Sequence, residues 1–79
     1  MTAITIDGKP YMAEKLNAKA FIENEIAMLA AYGPRGGAYL IRVFNNPRWG
    51  IHFDMMSMSA RSAYKTRGCH VEGAEALYA

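Results

Sequence analysis

NAKAFIENEIAMLAAY, residues 17–32, is the stretch on which the fold class turns. Ala18, Ile22, Ile26 and Leu29 recur at three- and four-residue intervals, which places them on one face of a helix. Phe21, Met28 and Tyr32 flank that face. Asn17 belongs to the types that cap helix N-termini, and Lys19 and Glu23 stand one turn apart. Gly33-Pro34 supplies the stop, since glycine accepts a left-handed C′ position and proline cannot continue a helix. The spacing predicts the chain's main helix over residues 17–32, its apolar face packed and its acidic face in water.

Downstream lies GGAYLIRVFNNPRWGIHFDMMSM, residues 36–58, which reads as a β-hairpin. Alternation over Ala38–Phe44 puts Tyr39, Ile41 and Val43 on one face and Leu40, Arg42 and Phe44 on the other. Asn45-Asn46-Pro47-Arg48 is the expected turn, and the return strand runs from Trp49 to about Met56. Trp49, Ile51, Phe53 and Met55 then share one face, and His52, Asp54 and Met56 the other. Setting Val43 opposite Ile51 aligns the two apolar sets as a core wall and places Arg42 opposite His52, with Asp54 diagonal. A one-residue slip would bury Arg42, so burial fixes the register.

The flanks are shorter. Thr2–Ile6 is β-branched and suits a strand, and Asp7-Gly8 is a turn signal. Lys9-Pro10 argues against a central strand at that point. Tyr11-Met12 either returns as a short strand or leads into the helix. After the hairpin, Ser59 can cap a helix over Ala60–Arg67 that Gly68 ends. Cys69–Val71 reads as a last short strand, and residues 72–79 as a helical turn or a loose tail. The resulting order, βαββα(β), predicts a single α+β domain over residues 1–79. It is a ferredoxin-like sandwich with both helices on one face of a small antiparallel sheet and the other face open.

A net charge of +2 hides a division along the chain. Residues 1–32 balance Lys9, Lys15 and Lys19 against Asp7, Glu14, Glu23 and Glu25. Residues 33–70 set Arg35, Arg42, Arg48, Arg61, Lys65 and Arg67 against Asp54 alone. A patch of this kind meets phosphate or an acidic protein surface. The single cysteine, Cys69, can make no internal disulfide, which points to a reducing cytoplasm. The N-terminal residues show no charged region followed by an apolar run, and no apolar stretch is long enough to span a bilayer. A chain of 79 residues has a small core, for which homodimerisation is one remedy.

Chemistry is sparse. His52, His70 and Cys69 lack metal-ligand spacing, and Cys69 and His70, adjacent on a strand, point to opposite faces. Gly33–Gly37 has neither phosphate-loop spacing and follows its helix instead of preceding one. Glu23 and Glu25 face different ways. The expectation is a non-enzymatic protein with no catalytic residue, metal or cofactor. Its partner-binding candidates are Leu40, Arg42, Phe44, Arg48, His52 and Met56 on the hairpin, with Arg61, Lys65 and Arg67 from the basic segment beyond. Arginine, aromatic residues and methionine are the types enriched at interface centres.

In size and organisation, a freestanding basic domain with an interface-like hairpin at residues 36–58, the chain resembles the small single-domain inhibitors of phages and mobile elements, anti-CRISPR proteins among them. Those proteins share no common motif, so no functional residue carries over. The resemblance implies a cytoplasmic protein that blocks a larger nucleic-acid-handling assembly. The alternative is a module that binds RNA or single-stranded DNA directly on the open sheet face, although the RNP1 pattern is missing.

Overall fold

The computed structural model describes residues 1–19, 22–59 and 65–79. Asp7-Gly8 behaves as its residue types require. Both adopt positive φ, 52° and 81°, the primed-turn geometry that joins tightly twisted strands. The turn connects β1 (Thr2–Ile6) to β2 (Lys9–Lys15) with Ile6 opposite Lys9. Tyr11-Met12 thus belongs to a full strand. Pro10 is tolerated because β2 begins pairing with the next strand only at Met12, leaving the proline a single neighbour.

Among the described residues the predicted main helix is absent; residues 20–21 of that stretch lie outside them. Residues 25–32 form β3 (Glu25–Tyr32), paired with β2 on one side and with β4 (Ala38–Asn46) on the other. Within EIAMLAAY a period of two competes with the helical period, and the core follows the former: Ala27, Leu29 and Ala31 are inside, while Ala30 is buried outside that cluster. β5 (Gly50–Ser57) pairs with β4, and β6 (Thr66–Cys69) with β5. The second expected helix is also overturned where it can be seen, since Thr66 and Arg67 are strand residues; residues 60–64 lie outside the described residues. Past His70, β7 (Val71–Glu72) pairs with β1. The one described helix, α1 (Glu75–Tyr78), is a single turn. The fold is therefore almost all β, and the α+β, ferredoxin-like expectation is corrected.

The sheet order is β6-β5-β4-β3-β2-β1-β7, every pairing antiparallel. Its two edge strands are consecutive pieces of one segment, so the sheet curls until residues 66–72 serve both edges. The product is a nearly closed barrel with no open sheet face of the kind a sandwich would leave. Ile4, Ile6, Ala13, Ala27, Leu29, Ala31, Ile41, Val43, Met55 and Val71 fill the interior. Ala74 joins them, with Leu77 and Tyr78 of α1 packed against the same core. A narrow barrel needs small residues on part of its wall to admit large ones elsewhere. The alanines of β2 and β3 meet that need, and tertiary packing overrides their helix propensity.

The hairpin register differs from expectation by two residues. Val43 faces Phe53, Arg42 faces Asp54 and Phe44 faces His52. Asn46 is the cause: its side-chain oxygen accepts the N–H groups of Arg48 (2.8 Å) and Trp49 (3.2 Å). Gly50 closes the three-residue loop at φ 78°. A shift of two preserves the faces, so Tyr39, Ile41, Val43, Phe53 and Met55 still point inward. Trp49 and Ile51 do not join the core; the turn leaves them exposed.

Closure rests on Asp7. Its N–H donates to the His70 carbonyl (2.8 Å), and its carboxylate accepts the His70 N–H (2.9 Å) and Arg67 Nη1 (2.9 Å). The His70 N–H and the Arg67 guanidinium hold the Asp7 carboxyl below its ordinary value of 3.8. A carboxylate depressed in the folded state contributes stability above its unfolded pKa and loses it as pH falls through the folded one. Thermal unfolding followed below pH 4 is accordingly expected to show a falling midpoint for the parent chain. Asp7→Asn is expected to start lower at neutral pH and to decline less steeply. Parallel curves for the two proteins would remove Asp7 from the acid response.

Candidate binding site at the cationic barrel end

A meander sends alternate connections to the same end of the barrel. The upper end carries the β1–β2 turn, the β3–β4 turn over residues 33–37 and the β5–β6 connection. The lower end carries the β2–β3 connection, the β4–β5 turn and α1. This sorting creates a charge asymmetry that the linear sequence does not display. Lys9, Arg35, Lys65 and Arg67 gather at the upper end. Two described carboxylates lie near them: Asp7, which Arg67 and His70 engage, and Glu72, which meets His70 Nε2. At the lower end Lys15, Lys19 and Arg48 stand with Glu23 and Glu75.

Two clefts open among the upper cations. One, of about 470 Å³, is bordered by Lys9, Arg35, Tyr11 and Tyr39 and floored by Gly33 and Gly37. The other, of about 200 Å³, is bordered by Tyr39, Ser57, Lys65 and Arg67. Tyr39 lines both, and it meets Tyr11 in a T-shaped pair (centroids 5.7 Å, 83°). The glycines of GPRGG act here as spacers. A Cβ at Gly33 would come within 3.3 Å of the Tyr11 ring, and one at Gly37 within 3.1 Å of Tyr39. The turn itself is closed by Gly33 N–H to the Gly37 carbonyl (2.8 Å) and Gly36 N–H to the Gly33 carbonyl (3.1 Å). Arg67 is further oriented by Nη2 donating to Met55 Sδ (3.2 Å).

The hairpin face expected to bind a partner has another character. Leu40 and Met56 lie opposite each other, both half-buried. Phe44, expected on an open face, is only 5% exposed and stacks on His52 (4.8 Å, 9° between planes). Arg42 forms an ion pair with Glu25 (Nε to Oε2, 3.5 Å), whose side chain is fully buried. With Asp54 directly across the ladder, Arg42 adds little positive field. Thus Leu40, Arg42, Phe44, His52 and Met56 do share a wall, but Arg48 lies at the lower turn and Lys65 and Arg67 at the upper mouth. Arg61 lies outside the described residues. Arg35 belongs to the basic segment evident in the sequence and Tyr39 to its expected core face, but neither they nor Lys9 and Tyr11 are among the expected binding residues, because their convergence depends on residues 25–32 being a strand.

Other chemistry is limited. Burial, aided by the Asp7 charge, pushes the Cys69 thiol up to about 11. It is protonated at neutral pH and a poor nucleophile there. Among the described residues no three His, Cys, Asp or Glu side chains stand close enough to hold a metal ion. Among them, too, no helix is long and apolar enough to cross a membrane. No known protein family, curated protein or solved structure matches this chain, and its function has to be read from its own residues.

Proposed function

We propose that the protein is a non-enzymatic binding module whose cationic barrel end engages the phosphates of a nucleic acid. The observation that carries this reading is the gathering of Lys9, Arg35 and Lys65 around Tyr11 and Tyr39, with Arg67 at the same mouth paired to Asp7. Cations beside aromatic surface are the combination that nucleic-acid grooves use. A cytoplasmic location belongs to the same proposal, supported by the lone, half-buried thiol. The test is binding of a labelled oligonucleotide in rising salt: affinity should fall steeply as phosphate-bound counterions compete. Absence of binding at physiological ionic strength would sink the reading.

One observation favours a second reading, a protein that blocks a nucleic-acid-handling assembly by docking on it. Trp49 is 76% exposed beside Arg48 at the lower turn, and both are types that anchor protein interfaces. As the sole tryptophan, Trp49 reports on its own end of the barrel. Under the nucleic-acid reading its emission stays that of a water-exposed indole when an oligonucleotide binds at the opposite end. A blue shift on addition of the oligonucleotide would move the site to the turn.

A further inference from the structure

We infer that a groove beside the cationic cleft receives an unpaired base, so that the nucleic acid bound is a single strand. The inference rests on the phosphate-binding reading above and adds the class of strand. The groove measures about 400 Å³ and is walled by Pro10, Tyr11, Met12, Tyr32 and Pro34. It is continuous with the 470 Å³ cleft, because Pro10, Tyr11, Gly33 and Pro34 border both. An apolar, aromatic trough thus opens directly into a space bordered by Lys9 and Arg35. That is the division a nucleotide presents, a flat apolar base joined to a charged phosphate.

Lys9 and Arg35 border the cleft and not the groove, which sets the way round the nucleotide lies. Glu14 stands on the groove side, where its carboxylate accepts the Tyr32 hydroxyl (3.4 Å), holding that ring and disfavouring phosphate nearby. The phosphate is therefore directed to Lys9 and Arg35 and the base to the trough. Apart from tyrosine hydroxyls, the groove's side chains carry no hydrogen-bonding groups. A base held there is recognised by its π-face and not by its edge, which gives tolerance of sequence. A duplex keeps its bases stacked inside and can use only the cations.

The experiment compares four ligands by fluorescence anisotropy at one salt concentration. They are a single-stranded oligothymidylate, an abasic strand of equal length, a duplex and an oligoglutamate. The single strand is expected to bind the parent chain about tenfold more tightly than the abasic strand. Tyr32→Ala and Met12→Ala, both on the outer wall, should bring the single strand down towards the abasic strand and leave the abasic strand unchanged. Equal affinity for abasic and normal strands would overturn the base subsite and leave the phosphate reading intact. Equal or tighter binding of the duplex would do the same. Binding of oligoglutamate as tight as that of the single strand would overturn it in favour of an acidic peptide. Failure of every nucleic acid to bind would remove the phosphate reading as well.

Discussion

Leu29→Ala is expected to destabilise the protein by about 2–5 kcal/mol, the range for emptying a fully buried leucine site. Leu29 is completely buried on β3 and faces Ile41, which in turn faces Met55, in one row across the interior. Removing its branched end opens a cavity in the middle of that row. Small domains hold only about 5–15 kcal/mol in total, so much of the folded population is at stake. A companion substitution separates strand from helix. Ala31→Leu fills space the barrel does not have, since Ala31 is fully buried opposite Ala13 and Tyr39. It should cost about 1–3 kcal/mol through overpacking. On an amphipathic helix over the same residues, alanine and leucine have nearly equal propensity and the exchange would be close to neutral. Urea denaturation measures both. A neutral Ala31→Leu, or a loss below about 1 kcal/mol for Leu29→Ala, would contradict this interior.

Reversing Lys9 and Arg35 to glutamate is expected to be the most damaging change for ligand binding. If each contacts one phosphate, the slope of log affinity against log salt should fall by about 2. By counterion release each contact is worth roughly fivefold at physiological salt, so the double variant should bind on the order of 30-fold more weakly. Repulsion from the new carboxylates adds to that figure. Both side chains are exposed, which leaves the fold undisturbed. The control is Arg48→Glu, which changes net charge at the opposite end. If Arg48→Glu weakens binding as much per charge as the double variant does, the protein responds to its overall charge and has no localised mouth.

Several local features were legible in the residues. Asp7-Gly8 announced its turn, and strict alternation correctly set Tyr39, Ile41, Val43, Phe53 and Met55 on one side. The placement of Trp49 and Ile51 failed because Asn46 and Gly50 pin the loop one step later than Asn45-Asn46-Pro47-Arg48 suggests. The larger error lay in residues 25–32. Alanine fits a helix by propensity and a crowded barrel wall by volume, and only the opposing residues on β2 and β4 decide between them. From that one segment follows the rest of the correction. With β3 as a strand, the connections sort to alternate ends, and Lys9 and Arg35, far apart in sequence, become neighbours of one cleft. Arg42, the most prominent cation of the hairpin, is removed from candidacy by Glu25, a residue that a helix would have placed elsewhere.

The split service of residues 66–72 bears on how the chain reaches its fold. From β1 to β6 each strand pairs with its neighbour in sequence, so most of the sheet can form from local hairpins, which are quick to close. The seam is different: Asp7 and His70 are 63 residues apart, and bringing them together carries the largest loop-closure entropy in the molecule. During synthesis, β1 and β5 remain unpaired edges until the segment through Glu72 has left the ribosome. Open edges recruit other chains. The Asp7 clamp can close only once residues 66–72 are available, and it therefore governs more than final stability. It sets how long the nascent sheet is exposed to aggregation, and a slower seam would lower the yield of soluble protein even when the finished barrel is sound.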